Sequence, residues 1–158
     1  MSAGGVEILL VEDNAQDAEL TLYALEKNKL ANRIVNTRDG AEALEYIFAT
    51  GRYADRCREE MPCLVLLDIK LPKVDGIAVL KQLKSDPDTR NIPVVILTSS
   101  REERDIVESY RLGVNSYIVK PVDFEQFTDA VRQIGLYWLI LNERVRSPRR
   151  DVRPSLEN

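Results

Sequence analysis

A chain of 158 residues, 44% hydrophobic and 30% charged, is long enough for one sizeable core, and its net charge of −4 with a pI near 5.0 argues against a general binder of nucleic acid or anionic membrane. It holds no histidine, which excludes Ser-His-Asp and Cys-His catalysis, an HExxH zinc site and a phosphohistidine of its own. No apolar run approaches the roughly 18 residues of a membrane span, and the opening "MSAGGVE" lacks the basic and apolar regions of a signal peptide, so the expected location is the cytoplasm.

The first apolar run, "VEILLV" (6–11), reads as a strand that stops at two carboxylates, Glu12 and Asp13. A helix follows, with Ala15, Ala18, Leu22 and Leu25 on one face and Asn14 as its cap. "NRIVNT" (32–37) is a second strand, and Ala41, Leu44 and Phe48 mark one face of a second helix. The stretch "ATGRYADRCREEMP" (49–62) exceeds the usual two to six or so residues of such connections and reads as a partner-binding loop or a tolerated insertion. Cys57 and Cys63 have no second pair and read as idle or buried thiols, not as a disulfide or zinc site.

"CLVLLD" (63–68) and "IPVVILT" (92–98) are continuous apolar runs, as expected of central strands covered on both faces. Ile77 and Leu80 belong to a third helix between them; Ile106 and Tyr110 belong to a fourth, which Gly113 ends as a left-handed cap. Ser99 and Ser100 fit capping boxes with Glu102 and Glu103. "SYIVK" (116–120) is the fifth strand, and a fifth helix starts at Asp123 and carries Phe127, Val131, Ile134, Trp138 and Leu141. The order is β then α, five times, which is the pattern of an α/β fold with a parallel sheet. The charged segment 144–158, with two prolines and five arginines, reads as a solvated, disordered tail after a single domain over 1–143.

In such a sheet the functional groups gather at the carboxyl ends of the strands. Those ends supply Glu12 and Asp13, Asp68, Thr98 and Lys120. Each alone has a plain structural role: the acids at a helix start, Asp68 at a turn, Thr98 as a strand residue, Lys120 as a solvated lysine. Together they are three carboxylates, a hydroxyl and an ammonium on one edge. Like charges at 4 Å repel by about 4 kcal/mol per pair at an effective dielectric near 20, so a hard divalent cation with oxygen ligands is the natural counterweight. An aspartate beside such a cation, faced by a hydroxyl and an ammonium, suits acceptance of a phosphoryl group.

These residues resemble the receiver domains of two-component response regulators: "LLVEDN" at the first strand, "LLDIKLPKVDG" around the central aspartate, "VVILTSS" at the fourth strand and "YIVKP" at the fifth. The resemblance spans 6 to about 141 and is nearest to single-domain regulators paired with phytochrome-type histidine kinases. It implies a flavodoxin-like (βα)5 fold, doubly wound, with strand order 2-1-3-4-5 and helices on both faces. It implies Asp68 as phosphoacceptor and a Mg²⁺ ion held by Asp13, Asp68 and the Lys70 backbone carbonyl, with Glu12 acting through water. Thr98 and Lys120 would bind the phosphoryl oxygens, Tyr117 would be the aromatic switch beside Thr98, and the Lys120–Pro121 bond would be cis. Gly76, after Asp75, fits a close loop before the third helix. The long Lys70 side chain beside the acceptor predicts slow loss of phosphate.

The expected partner is a sensor histidine kinase, such as a bacteriophytochrome, and the protein is expected to be a signalling phosphoacceptor and not an enzyme in its own right. No DNA-binding domain follows, so output is expected through protein contact, with a downstream partner that the sequence does not name. Leu136, Tyr137, Trp138, Leu139 and Ile140 are more apolar surface than a lone helix should expose, which predicts a homodimer through this segment. Two rival readings are a phosphohydrolase with an aspartyl-phosphate intermediate, which would want a second Asp where Lys70 stands, and a receiver-like scaffold that works without phosphorylation.

Overall fold

The computed structural model describes residues 7–27, 33–71 and 74–135. Strands β1 (Glu7–Val11), β2 (Arg33–Thr37), β3 (Leu64–Asp68), β4 (Val94–Thr98) and β5 (Ser116–Val119) form one parallel sheet in the order β2-β1-β3-β4-β5. The helices are α1 (Ala15–Lys27), α2 (Gly40–Phe48), α3 (Gly76–Ser85), α4 (Arg101–Ser109) and α5 (Phe124–Gln133). This is the flavodoxin-like order expected from the sequence. The expected dimer residues 136–140 and the tail 144–158 lie outside the described residues, as do Trp138 and Leu141 of the helical pattern.

The period of two along each strand sorts the core into two layers. Ile8, Leu10, Leu64, Leu66, Val95 and Leu97 pack with Ala18 and Leu25 of α1 and with Phe127, Ala130 and Val131 of α5. Leu9, Val11, Val65, Leu67, Val94 and Ile96 pack on the opposite face against α2, α3 and Val107 of α4. Every residue of β3 and β4 is buried, so the last residue of each, Asp68 and Thr98, is drawn under cover with the strand that carries it. Helix caps hold the other side of the same edge. Asn14, Asp39, Asp75, Ser100 and Asp123 each accept a hydrogen bond from the backbone N–H three residues on, at 2.7–3.2 Å, and each such cap stabilises its helix by about 1 kcal/mol.

Several helix faces are rotated from their expected positions. In α1, Ala15 is exposed and Thr21 takes an inner place with Ala18 and Leu25. In α2 the buried face is Gly40, Ala43, Tyr46 and Ile47, with Leu44 and Phe48 only partly covered. The largest departure is α4, where Ile106 and Tyr110 are exposed and Glu103 and Val107 face inward. Both pairs have the same four-residue spacing, so periodicity alone could not choose. The apolar pair lost because the buried Glu103 carboxylate has its own partners. Likewise, only Glu103 joins the capping contacts at the start of α4, while Glu102 is exposed. Arg111 (φ 52°), not Gly113 (φ 76°), is the first left-handed residue after that helix.

The long connection folds back on α2 around a short turn of 3-10 helix (Gly51–Tyr53). Arg56 is its anchor: Nε donates to the Tyr46 carbonyl at 2.7 Å, Nη2 to Ile47 at 3.1 Å and Nη1 to Glu60 at 2.7 Å, with the guanidinium 4.3 Å above the Tyr46 ring. Two of these acceptors are carbonyls in the last turn of α2, where carbonyls lack a further helical turn to pair with; that of Tyr46 also accepts the Ala49 amide at 3.4 Å. Tyr53 adds an edge-on contact to Tyr46 at 5.1 Å and donates its hydroxyl to Glu42 at 2.6 Å. Cys57 is exposed; Cys63 is half-buried, donates to the Glu7 carbonyl at 3.1 Å, and burial pushes its thiol up to about 11. Arg56→Ala is expected to lower the unfolding free energy by about 2 kcal/mol. Arg56→Lys is expected to recover less than half of that, because a point charge cannot reach three carbonyls; urea denaturation of the variants measures both.

Candidate functional site

At the carboxyl edge of the sheet, β1 ends where the Glu12 amide still donates to the Thr37 carbonyl at 3.0 Å, and this extra ladder bond turns the Glu12 side chain inward, to 1% exposure. Asp13 follows, exposed. Asp68 closes β3 at 4% exposure. Carboxylate oxygens of Glu12, Asp13 and Asp68 lie within 4.8 Å of one another. From the far side Lys120, just past β5 and tied by its amide to the Thr98 carbonyl at 2.8 Å, sends its ammonium to Asp68 Oδ2 at 3.0 Å, Glu12 Oε1 at 3.2 Å and Asp17 Oδ2 at 3.0 Å. The second Asp68 oxygen accepts the Lys70 amide at 3.1 Å. Thr98 is fully buried at the end of β4, and its hydroxyl has no partner among the described residues.

The loop after β3 comes this close because two glycines let it. A Cβ on Gly76 would stand 2.5 Å from the Asp68 carbonyl oxygen, and one on Gly40 would stand 1.8 Å from that of Val74. Both are below any tolerable contact, so α3 and α2 press directly on the backbone that carries the aspartate. The Lys120–Pro121 peptide is cis, as expected. Tyr117 is half-buried on β5 with the Arg104 guanidinium 4.7 Å over its ring.

The charges follow from this geometry. Burial is the largest influence on Glu12, and the hydrogen-bonded, like-charged Asp68 adds to it; together they lift its carboxyl from an ordinary 4.5 to about 7. Burial would lower the Lys120 ammonium, but its bonds to Asp68 and Asp17 and the charges of Asp68 and Glu12 outweigh this and raise it. Among the described residues, the edge thus carries more carboxylates than the Lys120 ammonium can balance. A cluster of hard oxygen donors, two of the three residues buried, fits a divalent cation of the Mg²⁺ or Mn²⁺ kind.

Residues 8–132 match the response regulator receiver domain. The chain belongs to that family. Among curated relatives, this receiver is 44% identical over 141 residues to the probable methanogenesis regulatory protein FilR2 of Methanothrix harundinacea (strain 6Ac), covering 89% of this chain and 86% of the relative. It is 39% identical over 132 residues to the response regulator Rcp1 of Synechocystis sp. (strain ATCC 27184 / PCC 6803 / Kazusa), covering 84% and 88%. The Mn²⁺-bound crystal structure of Rcp1 superposes with a TM-score of 0.68 at 37% identity over 85% of this chain and 94% of that one. The bacteriophytochrome response regulator AtBRR superposes with a TM-score of 0.80 at 57% identity, covering 84% and 94%. A receiver is a signalling phosphoacceptor, and that is the role of this chain in two-component signalling.

Of the residues picked out in the sequence, Glu12 and Asp68 come within hydrogen-bonding range of Lys120, Asp13 has a carboxylate oxygen within 4.8 Å of theirs, and Thr98 ends the neighbouring strand. Two participants were missed. Asp17, in the first turn of α1, shares the Lys120 ammonium; its one signal was its place at the start of the helix that begins at this edge. Glu103 was read only as a cap, yet it also pairs with Lys70 at 2.9 Å. Because a carboxyl raised in the folded state favours folding only while protonated, Glu12 stabilises the metal-free protein below pH 4.5 and that contribution is lost as pH rises through about 7. Removing the compensating ammonium steepens the loss. In EDTA, Lys120→Ala is expected to cost on the order of 3 kcal/mol at pH 8 and clearly less at pH 5, measured by urea denaturation at both.

Proposed function

We propose that Asp68 is the residue that takes the phosphoryl group, and that Mg²⁺ is the cation at Asp13, Asp68 and the Lys70 carbonyl, with Glu12 reaching it through water. The observation that carries the reading is the buried Asp68 carboxylate held between the Lys120 ammonium and the Lys70 amide, beside two further carboxylates. Asp68 attacks phosphorus in line. An O–P bond forms at its carboxylate as the N–P bond to the donor histidine breaks, and the imidazole nitrogen keeps the electron pair. Lys120 and the Lys70 amide orient the aspartate so that little motion is needed, and most of the catalysis is positioning and charge stabilisation. A bound Mg²⁺ would neutralise charge on the phosphoryl oxygens and on the acidic edge. The Thr98 hydroxyl, buried without a partner, is free to donate to a phosphoryl oxygen, and Tyr117 on the adjoining strand is the switch that follows it.

The donor we infer is a phytochrome-type histidine kinase, a reading supported by the phytochrome regulators among the relatives. The protein is then a cytoplasmic signalling protein, with its receiver over 1–143, that acts by protein contact.

With acetyl phosphate and Mg²⁺, intact mass is expected to rise by one phosphate. The increase should be absent in Asp68→Ala and reduced at least about tenfold in rate in Lys120→Ala, on the scale of losing one charge-stabilising contact. Phosphate on the Asp68→Ala protein would refute the assignment. The apolar run Leu136–Ile140 supports a homodimer. Sedimentation at micromolar concentration is expected to give a dimer that Trp138→Ala weakens, and a strict monomer with and without acetyl phosphate would remove the dimer.

A further inference from the structure

Lys70 stands two residues after Asp68, and its two ends do different things. Its amide holds Asp68 Oδ1 at 3.1 Å, while its ammonium, on a side chain 78% exposed, pairs with Glu103 Oε2 at 2.9 Å. Glu103 lies in the first turn of α4 and is buried. It accepts the Ser99 amide at 2.8 Å and the Ser99 hydroxyl at 3.0 Å. Burial would raise its carboxyl, but the bonds from Ser99 and Lys70 outweigh this and hold it below the ordinary range, so it is charged. One anion therefore gathers a cation that follows Asp68 and two donors that follow Thr98. A phosphoryl group on Asp68 would be a stronger anion beside the same cation.

We propose that the Lys70–Glu103 ion pair is a latch on α4, opened when the phosphoryl group on Asp68 draws the Lys70 ammonium away from Glu103. The inference rests on Asp68 as the acceptor. The exchange is cheap on one side, because an ion pair with so exposed a lysine is worth only a few-fold in an equilibrium. It is favoured on the other, because a phosphoryl group brings close to two negative charges where Glu103 brings one. The lysine pivots at a backbone already bonded to Asp68, so only its flexible stem must turn. Once Lys70 leaves, Glu103 keeps Ser99 but loses its tie to the loop after β3, and the first turn of α4 is released from the acceptor side of the site. Lys70 and Glu103 are thus positioning residues for the loaded state, acting beside Thr98.

The test is beryllofluoride, formed from beryllium chloride and sodium fluoride with Mg²⁺, titrated into the full chain and followed by amide NMR shifts of Glu102, Glu103 and Arg104. Glu103→Gln keeps the cap on Ser99 while removing the charge that competes for Lys70. It is expected to bind beryllofluoride about threefold to fivefold more tightly and to show α4 shifts nearer the loaded position before any is added. Lys70→Ala is expected to bind several-fold more weakly, and Lys70→Arg to bind like the parent. In the double variant Lys70→Ala/Glu103→Gln the gain from Glu103→Gln should vanish. Weaker binding in Glu103→Gln, or a gain that persists without Lys70, would overturn the latch. Asp68→Ala separates the two claims. If it abolishes the response while the Glu103 and Lys70 variants leave affinity unchanged, the acceptor stands and the latch fails; if it responds as the parent does, the acceptor fails and the latch with it.

Discussion

One ammonium decides the character of this molecule. Lys120 reaches carboxylates from three separate elements, Glu12 after β1, Asp17 on α1 and Asp68 at the end of β3. Those carboxylates could not be brought together by hydrophobic packing alone, since each buried, unpaired charge costs several kcal/mol. The lysine makes the edge foldable before any cation arrives. It leaves the edge unbalanced all the same, with Glu12 pushed up to about 7 and Asp13 beside it. A buried edge short of positive charge is suited to a divalent cation, and the rest of the fold can be understood as the means of holding that shortage in a fixed shape.

The sequence and the site were legible to different depths. β3 and β4 were plain because a strand buried on both faces needs an unbroken apolar run, and only a few side chains supply it. Glu12, Asp13, Asp68, Thr98 and Lys120 were plain because each ends such a run or directly follows one. Asp17 was not, since its distance from Lys120 in the chain gives no hint of contact and its place in a helix looks like any other acid near a positive helix end. The inner face of α4 was hidden for a related reason. A rule that places apolar residues inside chose Ile106 and Tyr110, and the rule failed where a carboxylate had a lysine and two donors from Ser99 to meet it. Polarity misleads at sites where charge is deliberately gathered.

The loop at 49–62 shows how such a site is kept still from a distance. Its length alone suggested either a binding element or a neutral insertion. Arg56 donates to two carbonyls in the last turn of α2, and Tyr53 ties the loop to Glu42 in the first turn of the same helix. The start of α2 in turn meets Val74 through Gly40, and Val74 belongs to the loop that carries Lys70. Gly76, two residues after Val74, brings the end of that loop against the Asp68 backbone, so the insertion, α2 and the acceptor strand are linked by close contacts.

That stillness is what makes a small ligand effective. A buried hydroxyl without a partner costs about 1–3 kcal/mol, and the Thr98 hydroxyl has no partner among the described residues. The crowded carboxylates carry a further cost that burial and Asp68 impose on Glu12. Neither is relieved by relaxing the structure, because β3 and β4 are packed along their whole length. Both would be relieved by a phosphoryl group and its cation, which bring a hydrogen-bond acceptor to Thr98 and positive charge to Glu12 and Asp13. A ligand shifts an equilibrium only by what it gains in one state over the other. On the proposed reading the gain is stored in the bare state as unsatisfied groups, and the modification of a single aspartate acts on α4 and β5 because those elements hold Glu103, Ser99's partner, and Tyr117, the ring that lies beside the strand of Thr98.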